Sequence, residues 1–128
     1  RTLCWRAPAG GTLEITAERL VALDRPGVLA IRYRVRSVDY RGPVTLASAI
    51  DTERAAVGQG DDPRIGAQLH GGLRLHDSHA DAEAAWVAQH TAHSGIRLVC
   101  AQAHRCDDGT LAFRSAERTA HGVVQSYS

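Results

Sequence analysis

The chain has 128 residues, enough for one domain with a hydrophobic core, because a domain of this length buries about two-thirds of its unfolded surface. Its formal charge of +1 at pH 7 excludes the strong basic field that attracts DNA or RNA, so we expect no nucleic-acid partner. Hydrophobic residues make up 44% of the chain, yet no apolar run approaches the roughly 18 residues of a membrane span, so we expect no membrane association.

The three cysteines, Cys4, Cys100 and Cys106, are an odd number without the spacing of a disulfide framework. No apolar leader with a small-residue cleavage site precedes them, and a reducing cytoplasm is therefore the expected location. The chain begins at Arg1 rather than Met, and a candidate strand at 122–127 runs almost to its end. We therefore expect a single domain over 1–128 that is a fragment of a larger protein.

Apolar side chains alternate with polar ones along much of the chain, which is typical of half-buried strands. The clearest case is 29–36, where Leu29, Ile31 and Tyr33 point one way and arginines point the other. In chain order, the predicted strands are 12–16, 19–23, 29–36, 44–50, 72–75, 85–91 and 96–101. Turns are predicted at 24–27, 94–95 and 107–109 because Gly, Pro and Asp cluster there. Residues 81–86 also have helical propensity, but the strand interpretation is favoured.

Antiparallel strands joined by short turns pack best as two sheets over a shared core. The predicted fold class is therefore all-β, an antiparallel β-sandwich. Ile31 and Leu46 are expected to point into its core, where an Asp would unfold the domain. Residues 52–70, rich in Gly and Asp, are expected to form a long irregular loop.

Metal and thiol chemistry receive little support from the spacing. His76 and His79 lie close together in a predicted loop, but a structural zinc site needs four ligands, and Cys100, His104 and Cys106 form a separate segment with nonstandard spacing. We expect no metal and no cofactor. Cys100 or Cys106 with His104 could form a nucleophile pair, but Cys100 falls on the apolar side of its strand, which favours a buried, inert thiol.

Trp5 and Trp86 could stack on a sugar ring, although the low aromatic content favours core positions for both. Asp61 and Asp62 are adjacent in sequence, which does not supply the facing carboxyl pair of glycoside hydrolysis. The arginines of 32–36 are interpreted as a solvated strand face. We expect no catalytic residue in this chain.

Several short segments, taken together in order and spacing, point to one family. They are 1–6, 18–23, 29–33, 43–48, 61–64 and 90–96. This order resembles the N-terminal domain of family 65 glycoside hydrolases and phosphorylases, which act on maltose, trehalose or kojibiose. Cys4 and 26–28 depart from the family pattern.

The resemblance implies a part of a galactose-mutarotase-like supersandwich, joined in the same polypeptide to an (α/α)6 catalytic barrel. The parent is expected to be an inverting phosphorylase or hydrolase of α-glucosidic disaccharides, with its general acid and phosphate site in the barrel. None of those roles has a residue in this chain, which is expected to be inactive alone.

Two functional hypotheses follow. The first is a non-catalytic domain that supports the barrel and brings the 52–70 loop near an α-glucoside disaccharide; Asp62, Arg64 and Trp86 are the candidate sugar contacts. Exposed sheet edges suggest pairing with a second copy as a homodimer. The alternative is a free-standing carbohydrate-binding module, for which Trp86 or Tyr40 would have to be exposed on a concave sheet face.

Overall fold

The computed structural model describes residues 1–8, 10–53 and 72–128. Within those ranges the structure is all-β, with nine strands in three antiparallel sheets, as the sequence predicts. The strands are β1 (Thr2–Arg6), β2 (Thr12–Val21), β3 (Leu29–Ser37), β4 (Leu46–Asp51), β5 (Leu73–Ala80), β6 (Ala85–Thr91), β7 (Arg97–Gln102), β8 (Phe113–Thr119) and β9 (Gly122–Tyr127). These ranges contain no helix with the length and apolar character needed to cross a membrane.

The predicted strands are confirmed, with two changes of extent. The segments 12–16 and 19–23 form the single strand β2, and 72–75 is the start of the longer β5. The expectation that His76 and His79 lie in a loop is wrong, because both lie inside β5. The pattern predicts neither β1 nor β8; β8 carries polar side chains on both faces, which hides its period.

Arg1–Pro43 forms one compact unit, a sheet with the strand order β1-β2-β3. Gly11 lies in the turn between β1 and β2 with a φ of 87°, and a Cβ there would come within 2.7 Å of the Tyr40 backbone. This turn therefore needs glycine. On one face of the sheet, Glu14 pairs with Arg36 at 3.1 Å, which supports the solvated-face interpretation of the arginines.

Val44–Ser128 forms a second compact unit of two sheets, with the strand orders β4-β9-β8 and β5-β6-β7. Their inner faces meet at a small core of Ala85, Val87 and Val123, against which Ile50 and Leu75 pack. This packing makes the second unit a β-sandwich. The expectation of one domain over 1–128 remains a prediction.

Polar side chains also join the two sheets of the second unit. Gln125 is fully buried, and its amide donates to the Asp81 carbonyl at 2.7 Å, while its Oε1 accepts from Gln102 at 3.1 Å. Nearby, the Arg118 guanidinium donates to Ser78 Oγ at 3.3 Å. Because a buried polar group without a partner is costly, these bonds fix β9 against β7 and the turn after β5, and fix β8 against β5.

Three expectations about burial are wrong. Ile31 is 56% exposed and Trp5 is 45% exposed, so neither is a core residue of the described structure. Cys100 is exposed as well, since it lies on the edge strand β7. For Ile31 and Cys100 the reason is that alternation shows which side of a strand is apolar, but not whether a second layer covers that side. Trp5 was expected in the core from the low aromatic content, which carries no information about position.

Candidate functional site

One face of the β1–β3 sheet is apolar and exposed. The register places Leu3 opposite Ile15, Ile15 opposite Val35, and Val21 opposite Leu29, so these side chains share a side of the sheet. We call this the apolar face; its members are Leu3, Trp5, Ile15, Val21, Leu29, Ile31, Tyr33 and Val35. Most of them are about half exposed, giving a patch on the order of 500 Å², a size that marks an interaction site in many proteins.

Trp86 lies on the side of the β5–β6–β7 sheet that points away from the core. Its neighbours along β6, Ala85 and Val87, point inward and are fully buried, so Trp86 points outward together with its cross-strand partners His79 and Ala101. We call this side the outer face. Trp86 is therefore partly exposed rather than a core anchor, which corrects the expectation from composition.

The surroundings of Trp86 contain an imidazole and a carboxylate. The His79 ring stacks on Trp86 with centroids 6.0 Å apart, and His79 Nε2 lies 2.8 Å from Asp81 Oδ2. Backbone N–H groups of Ala84 and Glu83 also donate to this carboxylate, and together with His79 they lower the pKa of Asp81 to about 2. The aromatic ring can stack on a sugar, but the carboxylate is already occupied by local bonds.

Of the other sugar candidates, the structure describes only Tyr40. Asp62 and Arg64 lie outside the described residues, as does most of the predicted 52–70 loop. Tyr40 lies after the end of β3, where its hydroxyl donates to the Pro43 carbonyl at 3.1 Å. Tyr40 therefore does not lie on a sheet face. Among the sugar-contact candidates that the structure describes, Trp86 is the one that does.

A shallow cleft of about 280 Å³ lies where β4 ends, beside the turn between β8 and β9. It is lined by Ala49, Ile50, Asp51, Glu53, Thr119, His121, Val123 and Val124. In it, His121 Nδ1 lies 3.1 Å from Glu53 Oε1, and the Asp51 carboxylate accepts the Glu53 N–H at 2.9 Å. The cleft thus offers a carboxylate and an imidazole at residues 51–53, where the described residues give way to the rest of the predicted 52–70 loop.

Glycoside hydrolysis uses a carboxylic acid whose pKa is raised so that it keeps its proton. The pKa values of Glu14, Asp81 and Asp108 are all lowered, chiefly by hydrogen bonds to the ionised carboxylates. The direction is opposite to the one a general acid needs. Such groups act in turns and ion pairs rather than in proton transfer.

The cysteine and histidine candidates do not come together. Cys106 Sγ lies 3.0 Å from Asp108 Oδ1, while the His104 ring packs against Tyr127 with centroids 5.3 Å apart and has its pKa lowered by burial. Among the residues that the structure describes, no three His, Cys, Asp or Glu side chains are grouped so as to hold a metal ion.

Comparison with known proteins shows which family the chain belongs to. The family model described as "Glycosyl hydrolase family 65, N-terminal domain" matches residues 1–128. The chain belongs to this family. The resemblance indicated by the sequence segments is thereby confirmed, and carbohydrate metabolism is the setting of this N-terminal domain.

Two kinds of curated relative are similar to this family 65 domain. An alpha,alpha-trehalose phosphorylase of Thermoanaerobacter brockii is 30% identical over 102 residues, which cover 79% of this chain and 13% of that protein. An uncharacterized glycosyl hydrolase of Mycobacterium tuberculosis is 28% identical over 103 residues, covering 80% of this chain and 13% of that protein. The chain thus spans only about an eighth of the length of these relatives. No solved structure gives a significant match.

Proposed function

We propose that this chain is a non-catalytic domain that supports a catalytic barrel elsewhere on a longer polypeptide, and that its apolar face is the interface. The observation that carries the proposal is that large side chains such as Ile31, Tyr33 and Trp5 are about half exposed on a single sheet face. A sheet that is apolar on one face buries that face against another layer in a stable domain. The length of the relatives supports a partner within the same polypeptide.

The energetics favour an intramolecular partner. Covering the exposed half of a large apolar side chain contributes about 1 kcal/mol, so the apolar face as a whole contributes several kcal/mol. Two surfaces on one polypeptide meet at an effective concentration in the millimolar range or above, so a contact of this strength stays formed. A homodimer through the same face would need a larger contribution, because association of separate chains costs more freedom.

The parent activity that we propose is inverting phosphorolysis or hydrolysis of an α-glucosidic disaccharide. The similarity to a trehalose phosphorylase supports the substrate class. The cleft beside Asp51 and Glu53 supports a place for the disaccharide near the 52–70 loop. A cytoplasmic location is supported by the free thiols of Cys4, Cys100 and Cys106, since secreted domains usually pair them.

Thiol labelling of the full-length protein tests the interface. Ile31→Cys places a thiol on the apolar face, whereas the native Cys4 lies on the opposite side of the same sheet. We expect Ile31→Cys to react much more slowly than Cys4, because the barrel covers the first thiol but not the second. Equal reactivity would remove the proposed interface. Slow labelling that becomes fast on dilution would instead indicate a homodimer.

The absence of catalysis by this chain is tested directly. The 128-residue chain is incubated with trehalose, maltose or kojibiose, with and without phosphate, and we expect no glucose or glucose 1-phosphate above a blank. Turnover by this chain would overturn the non-catalytic role while leaving the interface test unaffected.

A second candidate function is carbohydrate binding, which the outward position of Trp86 favours. Calorimetric titration with maltose or trehalose distinguishes it from the supporting role. Binding in the millimolar range or tighter that Trp86→Ala removes would favour a binding module. Heat that is the same with and without the indole would count against it.

A further inference from the structure

The outer face carries a transverse row of basic side chains. Arg74 on β5 lies directly opposite His90 on β6, and His90 lies directly opposite Arg97 on β7. Because neighbouring strands are about 4.8 Å apart, the two arginine Cα atoms are about 10 Å apart with the imidazole between them. Side chains as long as arginine can converge over this imidazole from both sides.

A β-bulge brings a fourth basic side chain to the same place. The register between β5 and β6 shifts between Leu75 and Asp77, which leaves His76 as the extra residue. Its ring lies edge-on to His90 with centroids 6.0 Å apart. Bulges re-aim side chains and are frequent next to binding sites, so the irregularity adds His76 to the row.

Within the described ranges, no carboxylate forms an ion pair with the arginines of this row. Arg74 and Arg97 are exposed, and neither forms an ion pair with any residue in the described ranges. The carboxylate on this part of the outer face, Asp77, accepts the N–H of Ser78 at 2.8 Å. By contrast, the arginines at the two ends of the β3 stripe each face a glutamate across the sheet.

We propose that Arg74, His90 and Arg97 bind the phosphate group of a small ligand. Each guanidinium can give two parallel N–H donors to phosphate oxygens, and a dianion between two arginines relieves their mutual repulsion. Among the described residues the outer face carries no catalytic residue, so the proposed role of the site is binding.

The outer face also has room for the rest of such a ligand. Along β6, the outward residues are Trp86, Ala88 and His90, so a small side chain lies between two large ones. Trp86 and His90 are about 13 Å apart along the strand. A hexose whose phosphate rests on the arginines therefore lies over Ala88 and reaches the indole ring.

The test is calorimetric titration of the full-length protein with inorganic phosphate and, separately, with glucose 6-phosphate. The test variant is Arg74→Gln/Arg97→Gln; the matched control is Arg32→Gln, an exposed β3 arginine whose partner is Glu18 at 3.8 Å. We expect the wild type and the control to bind phosphate alike. The double variant should bind about 100-fold more weakly, since each charge-assisted contact contributes about tenfold or more.

Each outcome bears on the site. The proposal is overturned if the double variant binds phosphate as tightly as the wild type, or if the wild type does not bind phosphate. A phosphate site elsewhere on the polypeptide contributes equally to the wild type and to the variants, so it does not affect the difference between them. Far-UV circular dichroism checks the fold, and the single variants Arg74→Gln and Arg97→Gln carry the test if the double variant is misfolded. If Trp86→Ala weakens only glucose 6-phosphate, the ligand is a sugar phosphate; if neither probe changes, it is free phosphate.

Discussion

Replacing Ile31 with Asp tests whether the apolar face is exposed to solvent or covered by another layer in the full-length protein. Ile31 is 56% exposed on the apolar face. Full burial of an isoleucine contributes about 1.5 to 3 kcal/mol, so covering its remaining surface contributes about 1 to 1.5 kcal/mol in the complete protein. An aspartate at that position loses this contribution and also has to be buried unpaired or protonated, which costs several kcal/mol more.

The expected total is about 3 to 5 kcal/mol of unfolding free energy lost in the full-length protein. Ala30→Asp is the matched control, because Ala30 is the preceding residue of β3, is exposed, and points to the opposite side of the sheet. Both substitutions place the same poor strand former in the same strand. The control is therefore expected to cost about 1 kcal/mol or less.

Urea unfolding of both variants, followed by tryptophan fluorescence, measures the difference. If Ile31→Asp and Ala30→Asp lower the midpoint equally, the apolar face is not covered in the complete protein, and the reasoning from patch to interface fails. A small effect of both in the 128-residue chain, combined with a large effect of Ile31→Asp in the full-length protein, would locate the missing layer outside this chain.

Three further predictions concern the second unit. Val87→Ala should lower the free energy of unfolding in urea by about 2 to 3 kcal/mol, because Val87 is fully buried. Val99→Ala on the neighbouring strand should lower it by about 0.5 kcal/mol or less, because Val99 is 70% exposed. Equal losses would contradict the assignment of Val87 to the core. Gln125→Leu should lower the free energy of unfolding by about 1 to 3 kcal/mol, because it leaves the Asp81 carbonyl unpaired. A more stable variant would show that the hydrogen bonds of Gln125 do not stabilise the packing of the two sheets. The pKa of Asp81 is lowered from 3.8 to about 2, so its ionised form stabilises the fold above about pH 4 and this contribution disappears as the pH falls towards 2. Thermal melts at pH 5 and pH 2 should show a smaller loss of stability for Asp81→Asn than for the wild type, and an identical loss would contradict this assignment.

Alternation of apolar and polar side chains predicted most of the strands, but not β1 and β8. The segment 29–36 is a strand because its apolar side chains recur every second residue, and this local property survives in β3. The same holds for 85–91, where strand propensity prevails over the helical alternative. Strand β8 was not predicted, because its sequence is polar on both faces and therefore shows no apolar–polar alternation.

The family was also determined by the sequence, through the order of short segments, and the match over residues 1–128 confirmed it. Burial was not determined in the same way. Leu29 and Val87 both occupy apolar positions of alternating strands, yet the first is exposed and the second is at the centre of the core. Which apolar side meets a second layer depends on residues far away in the chain, and these do not appear in a local pattern.

The candidate binding row depended wholly on tertiary structure. Arg74, His90 and Arg97 are separated by 16 and 7 positions in sequence, and only the register of β5, β6 and β7 places them side by side. The sequence by itself therefore determined most of the strands and the family, because both are encoded in short stretches of neighbouring residues. The tertiary structure alone decided which side chains are buried and which basic groups meet, because cross-strand register and sheet packing bring together residues that are distant in the chain.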